Sequence, residues 1–400
     1  MKPTLLIGAP GTGKTHRLVE EIIELKPDKF ALVSFTRRAA HEAKDRLRAY
    51  YSEKELKYVR TIHSLCFELL GLRTTQVMTF QDLRKFGNEW GYDFHGRYRA
   101  LEEDSFDMLT EDDAEYKEMM ISIAKCAVTN TVLYNRYMAF KKDRKLIDYN
   151  DMISMACNLM AIDSLSVYGS HIELKLDLLC VDEIQDLTPL QMSFVHLLST
   201  YSKNVIYAGD DNQMIFEWAG VDREKFFDLA NNCTQEILKK NYRFKGNIPK
   251  LAHKITCRQA SPTIAALFGM GYSMQTEHEN IENIEYIATE SMDFKKGESY
   301  LILARNGYLL SRTAAALDYL GEAWDWLGEE SKPGSIKLST IHGAKGAEAD
   351  NVILMTDVSP ATYENIENDS EHRVWYVAVT RAKKKLYIVQ PQTDMYYDLF

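Results

Sequence analysis

The sequence predicts an α/β fold of two parallel sheets, with a small helical insertion in the first half, and three observations carry that expectation. A short apolar strand, Leu5 to Ile7, enters a glycine-rich turn and then a helix with Leu18, Ile22, Ile23 and Leu25 at helical spacing; a second strand, Phe30 to Phe35, follows at once. Strand, helix and strand with short joints is the βαβ pattern, which implies a parallel sheet and a right-handed crossover. From about residue 66 to residue 145 the text turns helical, with an acidic block (Glu102, Glu103, Asp104, Asp107, Glu111, Asp112, Asp113, Glu115, Glu118) in its middle. Strand signals then resume at Leu176 to Val181 and Val205 to Ala208, and again at Tyr300 to Ala304, Ile336 to Leu338, Val352 to Met355 and Leu386 to Val389, enough for two sheets.

The domain reading follows from that order. Residues 1–65 and 146–235 make the first lobe, residues 66–145 its helical insertion and residues 236–400 the second lobe, with the boundary near Asn231 to Lys239. A hydrophobic share of 46%, a charged share of 26% and only 9 prolines in 400 residues exclude a disordered or fibrous chain. Lys plus Arg number 48 against 58 Asp plus Glu, a net charge of -10, so any polyanion has to be met by a local basic surface. The six cysteines are scattered without a C-x-x-C pair, which points away from zinc knuckles and disulfide frameworks and towards a reducing compartment. Neither a signal peptide nor an apolar run of about 18 residues is evident, so a cytoplasmic protein with no membrane partner is expected.

Chemistry concentrates at two strand ends. Gly8-Ala9-Pro10-Gly11-Thr12-Gly13-Lys14-Thr15 fits G-x-x-x-x-G-K-S/T, and it stands where that motif works, after a strand and opening a helix. Its glycines let backbone N–H groups turn in around phosphates, the helix N-terminus adds positive potential, Lys14 supplies charge and Thr15 can ligate magnesium. The second element, Leu178 to Asp186, is an apolar strand that delivers Asp182 and Glu183 at its C-terminal end, where ligands sit in open parallel sheets. Asp182 suits a magnesium ligand and Glu183 the base that polarises an attacking water. Together they predict a nucleoside triphosphate hydrolase that uses Mg2+.

Asp182-Glu183-Ile184-Gln185-Asp186 resembles the D-E-x-Q-D box of superfamily 1 helicases of the UvrD/Rep/PcrA type, and further boxes follow in family order. Ser34 to Ala40 resembles motif Ia, Thr61-Ile62-His63-Ser64 motif Ib, and Gly209 to Trp218 motif III. Asn241-Tyr242-Arg243 resembles motif IV, Thr340 to Glu348 motif V, and Val377 to Ala382 motif VI. The resemblance implies two P-loop (RecA-like) lobes and an ATP-driven motor on single-stranded DNA with 3′-to-5′ polarity. It gives Gln213, Arg243 and Arg381 the part of γ-phosphate sensors beside the catalytic Lys14, Asp182 and Glu183. Tyr242 would stack on the base and Glu348 would meet the ribose.

For the strand, the resemblance points to Phe35 and Trp218 as stacking rings and to Thr36, His63, Thr340 and His342 as contacts to the strand or its phosphates. Competing readings place Trp218 and Phe216 in a core, make Tyr242 ordinary core, and let His63 cap a helix beside Ser64. A basic cluster (Arg37, Arg38, Lys44, Arg46, Arg48) follows Phe35, though helical spacing makes Lys44 and Arg48 a solvated face. The segment Ser331-Lys332-Pro333-Gly334 passes straight to motif V, so the family's large accessory insertion is expected to be missing. The chain also stops soon after motif VI, which implies a minimal motor. The acidic insertion suits solvent or a protein partner. The expected partners are single-stranded and tailed duplex DNA; the alternatives are a nucleotide-dependent DNA-binding switch that does not unwind, and an RNA helicase.

Overall fold

The computed structural model describes residues 2–94, 111–127, 130–161, 166–167, 170–171, 174–243, 246–261, 282–287, 294–328 and 336–400. Glu102, Glu103, Asp104, Asp107, the side chain of Glu111 and the Ser331-Lys332-Pro333-Gly334 link lie outside the described residues.

The first sheet contains β1 (Thr4–Gly8), β2 (Phe30–Ser34), β3 (Val59–Thr61), β6 (Leu176–Asp182), β7 (Ser202–Gly209) and β8 (Thr234–Leu238), in the order β3-β2-β6-β7-β1-β8. Between them in sequence, β4 (Ser166–Val167) and β5 (Ser170–His171) form a separate antiparallel pair. β3, β2, β6 and β7 run parallel, and the apolar runs of β1, β2 and β6 are buried, as strands covered on both faces require. Helices start directly at strand ends. α1 (Lys14–Leu25) opens at the end of the glycine-rich loop, and α2 (Arg37–Leu47) is capped by Thr36, whose hydroxyl accepts from the Ala39 amide at 3.2 Å. α3 (Ile62–Leu69) is capped by Thr61, whose hydroxyl accepts from Ser64 N at 3.3 Å. The cap beside Ser64 is therefore Thr61 and not His63.

The helical text after α3 forms α4 (Phe80–Trp90), α5 (Glu111–Ala124) and α6 (Val132–Arg144), packed around Leu83, Phe86, Phe94, Tyr116, Met119, Leu133, Tyr137 and Phe140. α7 (Tyr149–Ala161), α8 (Pro189–Thr200) and α9 (Arg223–Asn231) return the chain to the sheet. The second sheet takes β9 (Ile284–Ile287), β10 (Tyr300–Ala304), β11 (Trp324–Trp326), β12 (Ile336–Thr340), β13 (Ala349–Met355) and β14 (Ala382–Val389), in the order β11-β12-β10-β13-β14-β9 with every pairing parallel. With it go α10 (Ile248–Thr256), α11 (Gly307–Leu320), α12 (Pro360–Glu364) and α13 (Asp369–Val379).

The expected strands therefore form; β7, β13 and β14 begin three or four residues earlier than expected, and β2 ends at Ser34, so Phe35 lies in the turn. β3, β8, β9 and β11 were not expected. They are three to five residues long and mostly half exposed, so periodicity alone does not reveal them.

The chain divides into two compact units, residues 1–6, 15–209 and 216–236 in one and residues 7–14, 210–215 and 237–400 in the other. The glycine-rich loop and the segment after β7 thus pack as parts of the second unit. Among the described residues no helix is long and apolar enough to cross a membrane.

Candidate functional site

In the first unit, three parallel strands end level, because Ser34 of β2 is in register with Thr61 of β3 and with Asp182 of β6. Phe35 and Thr36, His63, and Glu183 all follow those ends, so one sheet edge collects residues far apart in the sequence. Asp182 is buried; its carboxylate accepts the Thr15 hydroxyl at 2.5 Å and the Glu183 amide at 3.0 Å. A carboxylate and a hydroxyl side by side are the hard oxygen donors that magnesium prefers, so these residues fit that ion. Glu183 holds φ 52° and ψ 43°, a left-handed conformation that costs a non-glycine residue free energy and that recurs at functional sites. Gln185 donates from Nε2 to the Glu183 carboxylate at 2.6 Å and so fixes where that strained carboxylate points.

In the second unit, Gly11 is at φ 80°, and a Cβ there would come within 2.4 Å of the Arg243 Cβ, so only glycine fits. Asn241 explains that approach. Its side-chain amide donates to the Pro10 carbonyl at 2.5 Å, its Oδ1 accepts from Arg243 N at 2.9 Å, and Tyr242 N donates to the Gly11 carbonyl at 2.8 Å. Lys14 is buried and donates to the Gly8 carbonyl at 2.8 Å, curled over the loop it serves.

Arg381 is 1% exposed. Its guanidinium donates to the Val377 carbonyl at 2.9 Å, the Thr380 hydroxyl at 3.1 Å, the Ala347 carbonyl at 3.3 Å and Gln213 Oε1 at 3.4 Å. Gln213 in turn donates to Asp210 at 3.0 Å, so two expected phosphate sensors already touch each other. Arg243 Nε lies 2.7 Å from Glu348, and Lys383 lies 2.5 Å from its other oxygen. Burial raises the Glu348 carboxyl, but Arg243 and Lys383 outweigh it and hold the group below its usual range. Tyr242 is 69% exposed with the Lys240 ammonium 5.0 Å from its ring centre, which excludes an ordinary core role.

Thr340 and His342 are buried, 5% and 4% exposed. The Thr340 hydroxyl accepts from the Gly343 amide at 3.1 Å, and burial, with Arg305 and Lys345 nearby, holds the His342 imidazole far below its usual pKa. Thr340 thus caps the turn after β12, and His342 is buried beside it in sequence.

The aromatic residues form a row in the first unit. Phe35 lies 5.5 Å from Phe216, and Phe216 meets Trp218 at 6.2 Å and 67°. All three are half-buried, which a sealed core would not leave. His63 stands edge-on to Tyr149 at 5.1 Å, and burial lowers its imidazole to about 4, so it is uncharged at neutral pH. Of the basic cluster, Lys44 pairs with Glu53 at 2.7 Å, Arg46 with Glu42 at 2.6 Å and Arg48 with Glu53 at 2.8 Å, and Arg37 and Arg38 are exposed at the start of α2. Gln185 and Asn241 lie inside boxes legible in the sequence, but only their contacts reveal a role. Lys117, whose ammonium sits 4.7 Å above the Trp218 ring centre, carries no sequence signal at all.

The model of the UvrD/REP helicase N-terminal domain matches residues 1–234, and that of the UvrD-like helicase C-terminal domain matches residues 335–389. The ATP-dependent DNA helicase Rep of Buchnera aphidicola subsp. Schizaphis graminum is 25% identical over 347 residues, 76% of this chain and 51% of that protein. The ATP-dependent DNA helicase PcrA of Leuconostoc citreum is 28% identical over 319 residues, 69% of this chain and 41% of that protein. The chain thus spans about half the length of the curated relatives it matches. Among solved structures, an arterivirus nonstructural protein 10 (helicase) aligns over 98% of this chain and 60% of its own, with a TM-score of 0.44 at 14% identity.

Proposed function

The chain belongs to the UvrD/REP helicase family, and from that premise we propose that it hydrolyses ATP to move along single-stranded DNA, 3′ to 5′, and to unwind tailed duplex DNA in the cytoplasm. The observation that carries the reading is the Thr15–Asp182 pair at 2.5 Å, with the left-handed Glu183 beside it and the glycine-rich loop immediately upstream in the chain. Thr15 and Asp182 would hold Mg2+, which when bound neutralises charge on the phosphates. Lys14 and the amides of residues 8–15 bind phosphate oxygens, and Glu183, aimed by Gln185, takes a proton from the attacking water. Arg243, Arg381 and Gln213 stabilise the transferring group, Tyr242 stacks on the base, and Glu348 meets the ribose once released from Arg243 and Lys383. Phe35 and Trp218 stack bases, and Thr36, the neutral His63, Thr340 and His342 contact the strand or its phosphates. We assign residues 1–65 and 146–235 to one ATPase lobe, residues 236–400 to the other, and residues 66–145 to an insertion whose acidic side suits a protein partner.

The test is steady-state ATP hydrolysis with and without single-stranded DNA, beside single-stranded RNA. Stimulation by DNA alone is expected. Lys14→Ala and Glu183→Gln should abolish turnover while keeping strand binding, and hydrolysis retained by both variants would sink the assignment. A second reading that uses every one of these residues is a DNA-dependent ATPase switch or accessory protein that does not unwind by itself. Translocation on a tailed duplex with no strand release would select it.

A further inference from the structure

The insertion reaches the row of rings through one helix. On α5, Lys117, Ile121 and the following Lys125 are four residues apart and share a face. Gly220, at φ 99°, ends the turn that carries Trp218, and a Cβ there would stand 3.5 Å from the Ile121 carbonyl oxygen and 3.6 Å from Lys125 Cγ. One turn earlier on the same face, the Lys117 ammonium lies over the Trp218 indole at 4.7 Å. The opposite side of α5 is anchored, since Tyr116 and Met119 are buried in the insertion core and the Met120 carbonyl accepts from Asn150 of α7 at 3.3 Å. α5 is thus held at its back while it grips the Trp218 turn at its front.

We propose that Lys117 is a positioning residue for strand binding: the insertion supplies a cation that holds the Trp218 indole in its stacking orientation. This rests on the reading of Trp218 as a base-stacking residue. A cation over an indole face is favourable, and more so when partly desolvated. Holding the ring before the strand arrives removes the ordering cost that a free side chain would meet on binding. The acidic insertion then contributes to strand affinity without touching a phosphate.

The experiment is a double-mutant cycle read as affinity for a fluorescent oligo-dT, using Lys117→Met, Trp218→Ala and the double variant of the full chain. Trp218→Ala should weaken binding about 5- to 150-fold, the range for one lost stacked base. Lys117→Met keeps the aliphatic stem and removes the charge, so it should weaken binding about 3- to 30-fold in the wild-type background and not at all in the Trp218→Ala background. Lys117→Arg should restore wild-type affinity. Equal losses from Lys117→Met in both backgrounds, or no loss in either, would overturn the proposal while leaving Trp218 as a stacking residue. Unchanged binding by Trp218→Ala would overturn the stacking reading and the proposal with it. A fall in the salt dependence of binding with Lys117→Met would identify a direct phosphate contact instead.

Discussion

His63 illustrates how burial changes what a side chain can offer. Its imidazole titrates at about 4 in the folded chain against 6.5 unperturbed, because burial disfavours the charged form. Between those two values the unfolded chain binds a proton that the folded chain does not, so stability falls as the pH is lowered through that window and levels off on either side of it. Denaturation midpoints at about pH 7 and about pH 5 should therefore drop more for wild type than for His63→Gln; equal drops would mean that His63 is not the group responsible. Motif order alone singled out His63. Its neutrality follows from packing beside Tyr149, which residue spacing does not encode. Glu348 shows the same division, since its box was legible but its engagement by Arg243 and Lys383 was not.

At the scale of elements, the junction of α6 and α7 is an ionic lock. Lys141 and Asp148 are 3% and 6% exposed and 2.5 Å apart; Asp151 lies 2.6 Å from the same ammonium, and the Tyr137 hydroxyl donates to Asp148 at 3.0 Å. Breaking one side of a buried pair leaves an uncompensated charge. Lys141→Met should cost about 3–5 kcal/mol, read as a lower urea midpoint, and adding Asp148→Asn should recover part of it. A loss below about 1 kcal/mol would mean that water reaches the pair. Helical text marked the insertion in the sequence, but the lock joins residues on two helices and needs their packing. β3 and β11 eluded the sequence for a related reason, because three residues carry too little alternation to read and such strands persist through their neighbours in the sheet.

At the scale of the whole molecule, the proposed binding of a polyanion has to be reconciled with a net charge of -10. Lys44, Arg46 and Arg48 pair with carboxylates, so the proposed strand surface relies on rings, with Arg37 and Arg38 exposed at the start of α2. Neutralising two or three phosphates of a single strand predicts a plot of log affinity against log salt with a slope of about -1.4 to -2.1. A slope of about -4 or steeper would show that a basic surface elsewhere carries the binding. By itself the sequence determined the α/β class, the glycine-rich loop, the carboxylate strand end and the ordered boxes, because each depends on residue types at short, fixed spacing. Tertiary structure alone decided that Lys117 covers Trp218, that Asn241 ties Pro10 to Arg243 and that Arg381 rests on Gln213. The Lys117–Trp218, Asn241–Pro10 and Arg381–Gln213 contacts join residues about 100 to 230 positions apart, where local spacing carries no information and only packing fixes which side chains meet.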